Sequence, residues 1–273
     1  MKTIGHFCGN CGEKEVSQKE YSLRHYLAEL IPVFTFLDSK VFRSLWLVAT
    51  RPGYLSSEYL NGRRVRYMKP LQLFLLLNVF YYFSLTLFPA STFTTPLFTQ
   101  LHMNNYYATY ANSQVNKKME KEQITYQTLE TAYNKKTAVL SKTLIFLLIP
   151  IFAFLFYALF FAQKKYFVEH LVVATHFLSF NLMLLGVILP AVTILLLWLF
   201  QFLGISGSFV TNDYVVSSLL QIYFGGYLFI MFRRSYVANR WYCAVTALTI
   251  AWAFFHIVWI YRLFLFEITL RVV

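Results

Sequence analysis

The stretch LVVATHFLSFNLMLLGVILPAVTILLLWLFQFL, residues 171–203, contains no Asp, Glu, Lys or Arg. A helix of this length rises about 50 Å at 1.5 Å per residue, whereas the hydrocarbon core of a bilayer is only about 30 Å thick. Two forms fit such a segment. One is a single long helix that is tilted or kinked at Pro190, and the other is a hairpin that turns at Gly186 and Pro190.

Four further stretches without charged residues reach the roughly 18 to 20 residues that a membrane-spanning helix needs. They are residues 71–89, 143–163, 214–232 and 241–261. Hydrophobic residues make up 58% of the chain and charged residues 13%, against roughly 25% charged residues in soluble proteins. The sequence therefore predicts an all-α, polytopic membrane bundle with five transmembrane helices, and it excludes a soluble globular core.

The positions of Lys and Arg predict the orientation in the membrane, because such residues concentrate on the cytoplasmic side. They cluster in residues 1–69, at Lys164 and Lys165, and at Arg233, Arg234 and Arg240. With five spans and residues 171–203 as one helix, all three regions lie in the cytoplasm. The N-terminus is then inside, whereas residues 90–142 and the C-terminus are outside. A net charge of +12 that follows the span boundaries is explained by topology and lipid headgroups, and nucleic-acid binding is not expected.

Short amphipathic helices are predicted between residues 19 and 69, ahead of the first span. Apolar residues recur at helical spacing over residues 23–37 and again over 41–48, where the pattern ends at Arg51-Pro52-Gly53. A third short helix over residues 54–61 is closed by Gly62, and Pro70 begins the first span. We divide the chain into a Cys-x-x-Cys segment (1–18), these interfacial helices with a basic segment (19–69), and a membrane domain (70–273).

The basic segment combines cations with one tyrosine just before the first span: Arg63, Arg64, Arg66, Tyr67 and Lys69. Each cation near an anionic leaflet is worth about 1 kcal/mol, so the segment is predicted to bind anionic lipid. On a continuous helix Arg64 and Tyr67 would share a face, with Arg64 on a phosphate. The alternative is that these charges act only as topology determinants during insertion.

The region predicted outside, residues 90–142, is polar and rich in tyrosine. Its second half has apolar positions at roughly helical spacing: Val115, Met119, Tyr126, Leu129, Tyr133 and Leu140. We expect a helical connector that leads into the second span and rests on the bilayer or on itself. A surface for a ligand or partner is the alternative.

Two groups of motifs resemble an uncharacterised bacterial membrane family, domain of unknown function three-six-six-seven. The first group is Asp38-Ser39, Ser44-Leu45, Arg51-Pro52-Gly53, Glu58-Tyr59-Leu60, Gly62, Arg64, Tyr67 and Pro70. The second is Leu148-Ile149-Pro150-Ile151-Phe152-Ala153, Tyr166, Glu169-His170-Leu171-Val172, His176 and Ser179-Phe180. The resemblance implies a multi-pass protein of the bacterial inner membrane, but no established activity. It also implies a zinc-ribbon-like N-terminus with two Cys-x-x-Cys knuckles.

This chain departs from that pattern, because it has only the knuckle of Cys8 and Cys11. Tetrahedral zinc needs four ligands, so His6 and His25 or a second subunit would have to complete the site. A vestigial structural segment and a redox pair are the alternatives. No cofactor is expected apart from this weak zinc site. With Cys243 in an apolar span, three cysteines do not form a disulfide framework.

Polar residues within or next to the spans are the remaining functional candidates. His176 and His256 lie inside predicted spans, while Glu169 and His170 lie at the start of one. Neutral histidines hydrogen-bonded between helices are the simpler interpretation, and a proton relay is the alternative. Glu169 and His170 face about 100° apart on a helix and are interpreted as an interface anchor rather than a metal pair.

No nucleophile with its base, phosphate-binding glycine loop or acidic metal cluster is recognisable, so the sequence leans away from an enzyme. We expect a non-enzymatic scaffold or regulatory component that engages anionic lipid and partners, which include a second copy of the chain or another membrane protein. A small-solute transporter or channel is the first alternative, with helix breaks at Pro150, Pro190 and Gly225-Gly226. A lipid-modifying enzyme is the second.

Overall fold

The computed structural model describes residues 3–4, 7–8, 39–87, 92–102, 107–204 and 212–273. Two short strands, β1 (Thr3–Ile4) and β2 (Phe7–Cys8), pair antiparallel, with Thr3 opposite Cys8. The other regular elements in these ranges are helices, which confirms the predicted helical class. They are α1 (Ser39–Thr50), α2 (Tyr54–Leu60), α3 (Pro70–Leu87), α4 (Leu97–His102), α5 (Ala108–Glu122), α6 (Tyr126–Leu144), α7 (Leu148–Leu159), α8 (Phe167–Met183), α9 (Leu189–Phe202), α10 (Asp213–Ser235) and α11 (Arg240–Val272).

Four helical stretches in the described part of the chain are long and apolar enough to cross a membrane. They are Tyr126–Leu159, Phe167–Phe202, Val215–Ser235 and Arg240–Val272. Helix α3, the predicted first span, is apolar but shorter. The structure therefore supports a membrane protein with at least four candidate spans, and a fifth span remains a prediction.

The long apolar stretch forms one continuous helix, so the hairpin alternative is wrong. α8 and α9 join through a π-helical turn at Leu184–Ile188, and Pro190 lies in the first turn of α9. The wider turn accommodates the missing proline N–H without ending the helix. Gly186 lies in this turn against α3, where a Cβ would come within 2.8 Å of Tyr81 Cδ2. The proline thus introduces a local irregularity rather than a reversal of the chain.

Residues 1–88 and 149–252 form one compact unit. α8 is its central helix, since every residue from His170 to Leu182 is buried. α3 packs along α8, while α1 and α2 pack on α8 at the same time. Aromatic rings fill the contact with α10, where Phe180 stacks on Tyr227 with ring centroids 3.5 Å apart.

Residues 89–148 and 253–273 form a second compact unit. Its core consists of Leu97, Tyr107, Ala111, Val115, Leu129, Tyr133, Phe266 and Leu270. Of the six positions predicted at helical spacing, Val115, Leu129 and Tyr133 lie in this core, and Met119 and Tyr126 pack against it. They fall on two successive helices, α5 and α6. The region packs on itself together with the end of α11, which continues beyond the predicted boundary at residue 261.

Candidate functional site

Helix α2 docks on the bundle at the Arg51-Pro52-Gly53 motif. Gly53 has a left-handed φ of 74°, and a Cβ at this position would lie 2.7 Å from Met231 Cα. The Arg234 side chain donates a hydrogen bond from Nη1 to the Pro52 carbonyl at 2.9 Å. Glycine is required here both by the backbone conformation and by the approach of α10. The motif is therefore a docking joint between the α1–α2 turn and the end of α10.

Two further hydrogen bonds connect the segment to the bundle. Ser56 Oγ on α2 lies 2.9 Å from His176 Nδ1 on α8, with both residues buried. The Tyr227 hydroxyl on α10 donates to the Val48 carbonyl at 3.0 Å. His176 is thus a histidine hydrogen-bonded between helices, as the simpler interpretation predicts.

His170 occupies a second contact between helices. Its Nδ1 lies 2.9 Å from the Tyr236 hydroxyl just beyond α10, and both side chains are buried. Burial and, to a smaller degree, the nearby Glu169 raise the pKa of Tyr236 well above its ordinary value, so the hydroxyl keeps its proton.

Glu169 faces elsewhere: it accepts a hydrogen bond from the Tyr166 backbone N–H at 2.9 Å and pairs with Lys165 at 3.1 Å. Glu169 and His170 therefore face different partners, as the 100° separation predicts. His170 contacts Tyr236, and Glu169 fixes the start of α8. His256, the other predicted intramembrane histidine, is exposed on α11.

The basic segment is a loop rather than a helix, so the prediction that Arg64 and Tyr67 share a helical face is wrong. Gly62, with φ 83°, ends α2, and each of the two residues then bonds back to that helix. The Arg64 Nε donates to the Tyr59 carbonyl at 3.3 Å, and its guanidinium lies 4.5 Å from the Tyr59 ring centroid. The Tyr67 hydroxyl is 3.2 Å from that of Tyr54.

Burial and the hydrogen bond to Tyr54 raise the pKa of Tyr67 to about 12. Its hydroxyl is therefore protonated at any physiological pH and can hold α2 and the loop together.

The cations of the loop differ in what they contact. Arg63 pairs with Glu58 at 2.7 Å. Arg66 is exposed, and Lys69 is half-buried before α3. The Met68 N–H donates to Ser44 Oγ at 2.9 Å, which fastens the loop to α1. Part of the basic segment therefore stabilises the protein itself, and Arg66 remains directed to the surroundings.

Helix α1 has two contrasting faces. Val41, Ser44 and Val48 are buried against the bundle. Phe42 is 69% exposed and Trp46 68% exposed, four residues apart on the opposite face, with exposed Arg43 beside them. We call Phe42, Arg43 and Trp46 the basic-aromatic face.

A basic pocket of about 370 Å³ lies where α2, the loop before α8 and the end of α10 meet. Its polar lining consists of Ser57, Asn61, Lys165, Arg233, Arg234, Ser235 and Tyr236. The three regions that the sequence analysis assigns to the cytoplasm, residues 1–69, 164–165 and 233–240, each contribute to this lining. Sequence reasoning recognised Lys165 and the two arginines only as topology signals. It missed Ser56, Tyr227 and Tyr236, because their roles depend on partners more than 60 residues away in the chain. It also missed Ser235, because only the fold brings this residue to the pocket.

Two loops on opposite sides of the pocket are fastened to each other by one side chain. Gln163 Nε2 donates to the Val237 carbonyl at 2.7 Å, and its Oε1 accepts from the Val237 N–H at 3.1 Å. These two hydrogen bonds fix the distance between the loop of Lys165 and the end of α10.

The predicted zinc ligands fall largely outside the described residues. Cys11, His6 and His25 lie there, as does the predicted helix over residues 23–37, and only the backbone of Cys8 is placed, in β2. Within the ranges that the structure does describe, no group of three His, Cys, Asp or Glu side chains could hold a metal ion. The zinc prediction thus stays a prediction.

Residues 38–82 match a family model described as "Protein of unknown function (DUF3667)". The matched range covers α1, the docking joint, α2, the basic loop and most of α3, and it confirms the resemblance for the first group of motifs. The second group lies outside the range, although His176 contacts Ser56, which lies within it. No curated protein and no solved structure matches the chain.

Proposed function

We propose that this integral membrane protein is a non-enzymatic scaffold or regulatory component, whose N-terminal helices engage anionic lipid and protein partners. The observation that carries the proposal is the basic-aromatic face of α1. A short helix that buries one face on the bundle and exposes Phe42, Trp46 and Arg43 on the other combines the residues that favour the headgroup region of a membrane. Two large aromatic side chains exposed together on one helix face favour contact with a membrane or a partner.

The basic loop adds to this surface. It is fastened to α1 through Ser44, so exposed Arg66 belongs to the same docked element as Arg43. Two cations at an anionic leaflet contribute about 2 kcal/mol, which corresponds to about a 30-fold change in membrane affinity.

The topology we propose has five spans, with the N-terminus in the cytoplasm of a bacterium and the C-terminus outside. All three basic regions line the same pocket, which supports their location on the same side of the membrane. The end of α11 is joined to residues 92–142 by two hydrogen bonds, from Arg262 to the Thr92 carbonyl and from Tyr261 to the Ser141 carbonyl. These bonds support the location of both regions on the same side of the membrane. Reporter fusions after residues 110, 167, 208, 236 and 273 should alternate, starting outside, and a cytoplasmic signal at 110 would exclude α3 as a span.

Hydrogen exchange of residues 39–69 in nanodiscs tests the lipid role. We expect slower exchange in phosphatidylglycerol than in phosphatidylcholine, and we expect Arg43→Gln with Arg66→Gln to remove most of that difference. The matched control is Lys135→Gln with Lys136→Gln, which removes two exposed cations from α6. Equal exchange in the two lipids, or equal loss in both double variants, would contradict the proposal.

A small-solute transporter is the second candidate. The π-helical turn at Leu184–Ile188 follows two buried polar atoms, His176 Nε2 and Asn181 Oδ1, for which the described residues provide no hydrogen-bond partner. Such turns often occur at functional sites in helices. Solute flux in liposomes that is abolished by Asn181→Leu would favour this candidate over the scaffold, and turnover of lipid headgroups in the same vesicles would favour a lipid-modifying enzyme.

A further inference from the structure

We propose that the basic pocket binds a phosphate group, carried by a lipid headgroup or free as inorganic phosphate. This inference rests on the proposed lipid-binding function, but it assigns a specific site that is separate from the basic-aromatic face.

The charge of the pocket favours an anion. Lys165, Arg233 and Arg234 line it, and its lining contains no carboxylate. Glu169 pairs with Lys165 from outside the lining, which leaves two positive charges in excess. Arg234 uses one N–H on the Pro52 carbonyl and keeps others for a ligand. Arg233 forms no ion pair or hydrogen bond with any part of the chain that the structure describes, so its five donors remain for a ligand.

The pocket also holds neutral donors. Ser57 and Asn61 line it from one turn of α2, with the Asn61 amide donating to Ser57 Oγ at 3.3 Å. Ser235 also lines the pocket, is 6% exposed, and its Oγ has no hydrogen-bond partner among the described residues. A buried hydroxyl without a partner is costly, and a rotation about χ1 would let it donate to a bound oxygen.

The geometry is held in place before any ligand binds. The two hydrogen bonds between Gln163 and Val237 hold the loop before α8 against the loop after α10. The hydrogen bond from Arg234 to Pro52 holds the start of α2 against the end of α10. Three cations with nearby hydroxyl and amide donors suit a phosphate, because its several oxygens can accept hydrogen bonds from more than one of them. A volume of about 370 Å³ exceeds that of a phosphate and leaves space beside apolar Leu60 and Val237 for a glycerol backbone.

Binding should therefore join α2 to the ends of α8 and α10. A phosphate that bridges Lys165 and Arg233 would slow the opening of residues 54–61, and the docked position of the whole N-terminal segment would depend on the ligand.

Paired charge variants of the full chain in dodecyl maltoside, a detergent that carries no phosphate group, test the site. The pocket variant is Lys165→Gln with Arg233→Gln. The control variant is Lys164→Gln with Arg240→Gln, which removes the same charge at exposed positions close in sequence to the pocket residues but outside the lining. Retention of phosphatidylglycerol is counted by native mass spectrometry, and binding of inorganic phosphate is measured by calorimetry.

We expect affinity for the phosphate-bearing probe to fall at least about tenfold in the pocket variant and less than about twofold in the control. Ser235→Ala preserves shape and should weaken binding about threefold, so it tests the site even if the double variant does not fold. Pocket-dependent binding of inorganic phosphate would identify a free phosphate as the ligand, and pocket-dependent binding of phosphatidylglycerol alone would identify a headgroup.

Equal losses in the pocket and control variants, or no loss in either, would overturn the inference. The proposed function would survive that result if Arg43→Gln with Arg66→Gln still removed the lipid-dependent exchange difference of residues 39–69. If only the pocket variant lost phosphate binding, and Arg43→Gln with Arg66→Gln left the exchange difference unchanged, the result would support the pocket. It would contradict the lipid-binding role of the basic-aromatic face.

Discussion

The segment of residues 39–69 and the region of residues 97–144 both flank the apolar stretches, yet they are held in different ways. The first has no closed core of its own. It buries Val41, Val48 and Leu55 on the bundle, and hydrogen bonds at Ser56, Pro52 and the Val48 carbonyl hold it there. The second closes around Tyr107, Tyr133 and Phe266, which are buried with their apolar neighbours. A docked element depends on single contacts, whereas a closed core spreads its stability over many. The first region is thus suited to a response to lipid or a partner.

The largest effect is expected at the docking joint. Gly53→Ala would place a Cβ 2.7 Å from Met231 Cα in a left-handed conformation, and strain with overpacking together should cost about 3 kcal/mol. Proteolysis of residues 39–69 should become much faster. Gly204→Ala is the control, because Gly204 also has a positive φ, of 68°, but a Cβ there meets nothing within 4 Å. Similar effects of the two substitutions would mean that the approach of α10 does not matter.

Loss of one hydrogen bond should affect the two regions unequally. Ser56→Ala leaves buried His176 without a partner on either nitrogen among the residues that the structure describes, and it should cost about 1 to 3 kcal/mol. Thr137→Val removes a buried bond to Thr269 in the other region, but Thr269 Oγ1 still donates to the Leu265 carbonyl, so the cost should be about 0.5 kcal/mol. Hydrogen exchange would measure both losses of stability, and we expect each substitution to speed exchange only in its own region. Equal costs would remove the distinction between a docked element and a closed core.

High pH should loosen the docked segment through Tyr67. Its pKa in the folded protein, about 12, is above the ordinary value of 10.0. The protonated hydroxyl therefore stabilises the fold fully below pH 10, and this stabilisation is lost as the pH rises through 12. The difference in tyrosinate absorbance between the wild type and Tyr67→Phe should titrate near pH 12. A midpoint near pH 10 would show that the hydroxyl is not held against Tyr54.

The smallest effect on the fold is expected from Cys8→Ser. Two thiolates make a weak site, so the isolated chain should carry less than one zinc per chain, and the substitution should lower zinc content without changing helix stability. Elemental analysis and thermal unfolding measure the two quantities. One tightly held zinc per chain would require further ligands, from the predicted histidines or from a second subunit.

The sequence predicted the helices well, because apolar length and periodicity are local signals. The boundaries at Gly62 and Pro70 and the helical spacing around Leu129 follow from such signals. Apolar length alone left the stretch around Pro190 open between one helix and a hairpin, and only the positions of Lys and Arg favoured one helix. The candidate site was less predictable. Arg64 and Tyr67 were assigned to lipid from their charge and position, but both bond to α2, since Gly62 ends the helix and turns the chain back. Ser235 and Tyr236 gave no signal, because only the tertiary fold brings them to Lys165 and His170.

Contact between Trp46 and lipid tests the central claim most directly. The chain has five tryptophans, and a variant that retains only Trp46, with phenylalanine at the other four positions, isolates its fluorescence. The account predicts strong quenching by lipids brominated near the headgroup, stronger in phosphatidylglycerol than in phosphatidylcholine and weakened by Arg43→Gln. Quenching by aqueous acrylamide alone, with no effect of brominated lipid, would show that the basic-aromatic face points to water and would contradict the account.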